Sequence, residues 1–331
     1  MVHISSPATG KLRALNTRKD LLPVADLIEL CFGRHMDADG WKYVHTIRQA
    51  AADCSQIRWM LGAGERIAYP LHGYVWEEDN QIIGNLSIIP FYKKGIWRYL
   101  IANVAVHPEY RRRGIARQLT LKALEHIQSL EVASAWLQVR ADNSAAIQLY
   151  HELGFLERAV RTTWQRDSLL TPETPVYPGF KFTSRAPQDW ELQRRWLNET
   201  YPPDVIWNLP LEPERFAPSL WQKFIRLLNA EDYRHWAVRG GGKLLGIATW
   251  QASSLHADYL WLATEPHEEQ EAIAALLPYI RGHLHNYRPL SINYPAYRAA
   301  KSFQQGGFRE LNTLIWMEHP LATSSPFATL S

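Results

Sequence analysis

Residues 108–124 read PEYRRRGIARQLTLKAL, three arginines running through a Gly-Ile-Ala turn into an amphipathic stretch. Beyond the turn the apolar positions Ala116, Leu119, Ala123, Ile127 and Leu130 step by three and four, which predicts one face of a helix over 116–130. Before it, WRYLIANVAV at 97–106 reads as a strand ending at His107-Pro108. A turn joining a strand to a helix leaves the first N–H groups of the helix unpaired, pointing outward at the positive end of its dipole. Gly114 has no Cβ, so an anion can approach the backbone closely, and Arg111, Arg112 and Arg113 add charge and long donors at the rim. Such a place suits a phosphate. The loop of nucleotide triphosphatases, G-x-x-x-x-G-K-[ST], is absent, and RGGGKLLG at 239–246 lacks its spacing and reads as a hairpin turn.

Working outward, HGYVWEEDNQIIGNLSIIPF at 72–91 alternates as a hairpin, 72–77 and 81–91, with its turn at Asp79-Asn80. SAWLQVR at 134–140 is a further strand. Asn143-Ser144 caps a helix whose inner face is Ala146, Ile147, Tyr150 and Leu153, and Gly154 stands where a left-handed C-terminal residue is wanted. FLERAVRTTWQRD at 155–167 closes the unit, and SLLTPETPVYPGF at 168–180, with three prolines and no periodicity, reads as a linker.

The 331 residues are too many for one ordinary core and suggest two domains. With 46% apolar and 21% charged residues and a net charge of +3, the chain reads as a soluble protein with no call for nucleic acid. Two cysteines, Cys31 and Cys54, fit neither a disulfide framework nor a cysteine-based zinc site and suit a cytoplasmic setting. No H-E-x-x-H pattern occurs among the thirteen histidines, so no metal is expected. The most apolar stretch, LLPVADLIELCF at 21–32, is short and broken by Pro and acids, and no membrane association is expected.

Taken together, residues 72–165 resemble the GNAT superfamily of acyl-CoA-dependent N-acyltransferases. The signature R/Q-x-x-G-x-G/A stands as Arg111, Gly114 and Ala116, with NVAVHPEYR before it and LQVRADNSAAIQLYHELGF after it, in order and at the right spacing. The resemblance implies an acetyl-CoA cosubstrate. Its pyrophosphate would sit on the turn of Arg112, Arg113, Gly114, Ile115, Ala116 and Arg117 beside Arg111. Its pantetheine would pair with Val104, Ala105 and Val106 and be held by Asn143. Tyr150 falls at the general-acid position, where a phenol could protonate the departing thiolate. Read without the motif, Asn143 is a helix cap and Tyr150 a core residue.

The base is left open. In the bacterial ribosomal-protein N-terminal acetyltransferases, which LQVRADNSAAIQLYHELGF resembles locally, a glutamate stands where this chain has Gln138, and the strand glutamate of the histone-acetylating branch falls at about Leu100. Neither residue takes a proton. A relayed water, a group such as Glu77, Glu78, Asp142 or Tyr294, or an amine of low pKa that scarcely needs a base remain as alternatives.

The second half repeats the first. LWLATEPHEEQEAIAALL lies over ANVAVHPEYRRRGIARQL with Pro266 on Pro108, AAKSFQQGGF lies over AIQLYHELGF with Gly307 on Gly154, and KLLG at 243–246 answers QIIG at 81–84. The chemistry is not repeated. Arg111, Arg113 and Gly114 face Glu269, Glu271 and Ala272, Tyr150 faces Phe303, and Asn143 faces Ala296. The expected fold class is α/β with α+β mixed sheets, two tandem GNAT folds, each a central mixed sheet flanked by helices. The expected domains are a catalytic copy (1–168), a linker (169–180), a degenerate copy (181–320) and a tail (321–331). The expected function is an N-acetyltransferase acting on a small-molecule or peptide amine that enters a groove built partly from residues 20–70. The alternative is an acyl-CoA-binding sensor or scaffold without turnover. A monomer or homodimer is expected, and deletion from about residue 175 onward is expected to damage acceptor binding or solubility.

Overall fold

A computed structural model describes residues 10–52, 72–166, 179–219, 232–284 and 288–321, together with 221 and 224. Most of the expected linker, nearly all of the tail, Cys54 and the part of the acceptor groove from 53 to 70 lie outside the described residues. The chain divides into two compact units, neither of them one continuous segment. Unit 1 is Met1–Val139, Asn143–Arg158 and Trp316–Ser331, and unit 2 is Arg140–Asp142 and Ala159–Ile315.

In unit 1 the strands β1 (Lys11–Ala14), β2 (Gly73–Glu78), β3 (Gln81–Lys93), β4 (Ile96–Val106) and β5 (Ser134–Arg140) lie side by side in that order. All neighbours are antiparallel except β4 and β5, which run parallel. The β2–β3 turn sits where the sequence put it, with Asp79 and Asn80 at φ 51° and 60°, the left-handed pair that matches the twist of a two-residue hairpin. Helices α1 (Leu21–Phe32) and α2 (Ala38–Ala52) bury Leu21, Val24, Ala25, Ile28, Val44, Ile47 and Ala50 in one cluster with Val75. Helix α3 (Ile115–Gln128) buries Leu119, Ala123 and Ile127 as their spacing predicts. Leu130 does not continue the face. The helix ends two residues earlier, Glu131 turns left-handed at φ 55°, and Leu130 is 41% exposed.

Helix α4 (Ser144–Glu152) completes the described helices of unit 1, with Gly154 at φ 88° behind it and His319 packed edge-on against Phe155. Leu321 N–H donates to Ala133 O at 2.9 Å, and Arg158 Nε to Glu318 Oε2 at 2.8 Å. The end of the last strand, β12 (Arg309–Pro320), is therefore part of unit 1. A deletion from residue 175 takes material from both units, so it is not the clean removal of a second domain that the linker suggested.

In unit 2 the strand order is β6 (Leu156–Arg166), β11 (Leu290–Pro295), β10 (Asp258–Thr264), β9 (Lys243–Gln251), β8 (Tyr233–Gly240) and β7 (Phe180–Ser184). Only β10 and β11 are parallel. Helices α5 (Trp190–Thr200), α6 (Glu269–His283) and α7 (Ala300–Gln305) accompany this sheet, and RGGGKLLG forms the predicted turn, with Gly241 and Gly242 left-handed.

The internal repeat is present in the hydrogen bonds. His107 N–H donates to Ile83 O at 2.8 Å in unit 1, and Glu265 N–H to Leu245 O at 2.8 Å in unit 2. Gly84 pairs with Val106 as Gly246 pairs with Thr264. A short 3₁₀ turn, Pro108–Tyr110 or Pro266–Glu268, precedes the long helix in each copy. Both glycines lie where that helix presses on the sheet. A Cβ on Gly84 would stand 2.8 Å from Ile115 Cγ2, and one on Gly246 would stand 3.1 Å from Ala272 Cβ. We predict that Gly84→Val lowers stability by about 1–3 kcal/mol through overpacking, read as a fall in the denaturation midpoint.

Candidate functional site

The site is built around an irregularity in β4. Asn85 pairs with Ala105, but the next pair is Ser87 with Ala102, so Leu86 alone opposes both Asn103 and Val104. Asn103 carries the bulge at φ 52°, a left-handed value that asparagine tolerates better than most residues. On its other side β4 pairs with β5 only at Tyr99↔Ala135, Leu100↔Trp136 and Ile101↔Leu137. Val104 thus falls outside both registers, and the end of β4 beside β5 is an edge that an extended chain can pair with.

Beyond that edge, Arg111 Nε donates to Val106 O at 3.2 Å, tying the start of the arginine turn to the end of the strand. Gly114 is left-handed at φ 78°, and an added Cβ there would meet nothing within 4 Å. The first bond of α3 runs from Gln118 N–H to Gly114 O at 3.0 Å, so the N–H groups of Ile115, Ala116 and Arg117 lie above it, at the positive end of the helix. A left-handed glycine, open space and a row of leading amides together fit a phosphate.

The arginines are not equivalent. Arg113 Nη2 donates to both carboxylate oxygens of Glu78 at 3.0 and 2.9 Å, with side chains only 16% and 11% exposed, and its guanidinium stands 5.2 Å from the Tyr110 ring. It braces the turn from inside. Arg117 makes an exposed pair with Glu152 at 2.9 Å, and Arg112 is left-handed at φ 64°.

Asn143 caps α4, accepting from Ala146 N–H at 3.2 Å, so capping uses its oxygen and leaves the amide NH₂ as a donor. Tyr150 follows on that helix, 6% exposed and edge-on to Phe155. Burial pushes its phenol pKa well above the ordinary value, because the phenolate would lose its hydration. The proton is held on the oxygen.

Each group proposed as a base already has a partner. Glu77 accepts from Arg13, Glu78 from Arg113, and Asp142 from Arg140 at 2.9 and 2.6 Å. Tyr294 lies inside unit 2, where its hydroxyl donates to Glu269, and burial followed by that carboxylate raises its pKa. Residues that the sequence reading missed are Asn85, Ser87 and Tyr43, which gather around Asn103. Their one visible signal was asparagine at two strand positions, where it is a poor fit. Among the described residues no three His, Cys, Asp or Glu are placed to hold a metal ion, and no helix is long and apolar enough to cross a membrane.

The bulged end of β4, parted from its parallel neighbour, thus leads through the arginine turn into a left-handed glycine and a helix start. Residues 38–155 match the acetyltransferase (GNAT) family, and this segment is a GNAT acetyltransferase domain. It is similar to the ribosomal protein bS18-alanine N-acetyltransferase of Escherichia coli K12, 44% identical over 79 residues, which are 22% of this chain and 53% of that protein. The chain thus spans about half the length of that relative. A GCN5-related N-acetyltransferase from Sphaerobacter thermophilus shares the fold over 96% of this chain and 98% of its own, with a TM-score of 0.57 and 14% identity. A tandem GNAT protein from the clavulanic acid biosynthesis pathway does so over 96% and 100%, with a TM-score of 0.50 and 16% identity.

Glu78→Leu strands the half-buried Arg113 charge and is expected to cost about 1–3 kcal/mol in urea unfolding. Glu152→Ala, which breaks the exposed pair with Arg117, is expected to cost less than about 0.5 kcal/mol.

Proposed function

We propose that the chain is an N-acetyltransferase that moves an acetyl group from acetyl-CoA to a primary amine by direct attack. The observation that carries this reading is the bulge at Asn103–Val104, which takes Val104 out of both strand registers, so that its N–H can face a thioester carbonyl. Val104, Ala105 and Val106 offer the edge for the pantetheine, and Asn143 a donor to it. Ile115, Ala116 and Arg117 supply amides to the pyrophosphate, Gly114 gives it room, and Arg111 and Arg112 lie at its rim. Tyr150, kept protonated by burial, gives its proton to the leaving thiolate, and the proton that the attacking amine loses restores the phenol.

With Glu77, Glu78, Asp142 and Tyr294 all engaged, the amine best served is one that loses its proton cheaply. From reference pKa values, neutralising a lysine at pH 7 costs about 4–5 kcal/mol and an α-amine about 1. An α-amine acceptor, as on a peptide N-terminus, is therefore favoured.

Unit 2 supports a single acyl-CoA site in unit 1. At the position aligned with Val104, Leu262 N–H donates to the Tyr201 hydroxyl at 3.4 Å, and Tyr201 is 1% exposed and edge-on to Trp261. The chain's own phenol takes the amide that a thioester would need. At the aligned helix start, Glu269 is held by Arg298 and Tyr294, and no left-handed glycine precedes it. The second copy reads as degenerate.

Thiol release from acetyl-CoA should be faster with peptides bearing a free N-terminus than with N-acetylated lysine peptides, and no release with either would leave the sensor reading. Tyr150→Phe should lower kcat about 10²-fold with CoA affinity unchanged. Because the phenol pKa is raised, its proton is present throughout the neutral range and lost only as pH rises past the ordinary phenol range. The rate should therefore show no Tyr150 limb below about pH 10. Calorimetry should find one CoA per chain, abolished by Arg112→Glu/Arg113→Glu, and two would overturn the assignment of unit 2.

A further inference from the structure

Strand β3 carries two fully buried polar residues, Asn85 and Ser87, within a run whose neighbours Ile83, Leu86, Ile88 and Ile89 are all buried and apolar. Asn85 Nδ2 donates to Asn103 O at 3.0 Å, meeting the carbonyl that the bulge removes from the ladder. Asn103 Nδ2 donates to Ser87 Oγ at 3.2 Å and to Tyr43 Oη at 2.7 Å. Asn85 Oδ1 is buried without a partner, so packing alone does not explain an asparagine there. Tyr43 belongs to α2, an element of the expected acceptor groove.

Unit 2 provides an internal control. The residues aligned with Asn85 and Asn103 are Ile247 and Trp261, and there the strands pair without a shift: Ile247↔Ala263, Ala248↔Leu262, Thr249↔Trp261. Where the asparagines are missing, the bulge is missing too.

Resting on the acyl-transfer reading above, we propose that Asn103, held by Asn85, Ser87 and Tyr43, is a positioning residue that aims the Val104 N–H. Through Tyr43, helix α2 becomes part of the machinery that activates the acyl group. The hydrogen bonds of this network run among β3, β4 and α2, not to the amides of Ile115, Ala116 and Arg117. Loss of the network therefore misdirects the amide without loosening the cosubstrate, and the left-handed backbone at Asn103 relaxes toward the regular path of β10.

The test compares Asn103→Gly, which keeps the φ 52° geometry accessible and removes the side chain, with Tyr43→Phe, which removes one acceptor. Asn103→Gly should lower kcat at least 10-fold and Tyr43→Phe about 3- to 10-fold, with CoA affinity within 2-fold of wild type. The double variant should be no slower than Asn103→Gly alone, since both act through one network. Equal kcat in wild type and variants, additive losses, or a parallel loss of CoA affinity would overturn the proposal. A second measurement needs no amine. The Val104 amide resonance should move in both variants, while those of Ile115, Ala116 and Arg117 stay in place. An unmoved Val104 overturns the positioning role, whereas absence of thiol release from the wild type with every amine overturns the acyl-transfer reading instead.

Discussion

Between two fixed cross-strand pairs, Asn85↔Ala105 and Ser87↔Ala102, β4 must place two residues where β3 has one. That surplus residue sets the geometry of the site. It turns the strand away from the ladder, requires a left-handed residue, and falls just past the last pair that β4 makes with its parallel neighbour. The displacement of Val104 from both strand registers follows from it. Arg111, bonded to Val106 O, and His107, bonded to Ile83 O, carry the displaced strand end into the glycine turn.

The parts of the chain governed by period were legible in the sequence. The stepping of Leu119, Ala123 and Ile127 gave α3 to within a turn, Asn143 and Gly154 bracketed α4, and Asp79-Asn80 gave the β2–β3 hairpin. The bulge was not legible, because one added residue leaves the composition of a strand unchanged and only shifts which side chain faces which neighbour. The pairing of Arg113 with Glu78 was hidden for a different reason. The partners lie far apart in sequence, and a cation beside a helix start looks the same whether it points to a phosphate or to a carboxylate. Leu130 was misplaced because period says where a helix faces and little about where it stops.

The two copies share a framework and differ in the residues placed on it. Glycine under the long helix, the 3₁₀ turn and the left-handed glycine before the last strand occur in both, and each serves close packing or chain reversal. What differs is polarity at Asn85 and Asn103 against Ile247 and Trp261, and backbone freedom at Gly114 against Ala272. In the second copy Tyr201 accepts from the Leu262 amide, and Glu269 accepts from Tyr294 and Arg298.

The assignment of Trp316–Ser331 to unit 1 affects how the protein is made. A ribosome adding about 5–20 residues per second needs roughly 8–30 s to travel from Arg158 to Trp316, and for that interval the nascent N-terminal half lacks its last segment. Ala133 O has yet to meet Leu321, and Phe155 to meet His319. A message cut short before codon 316 therefore leaves the first half without these contacts as well.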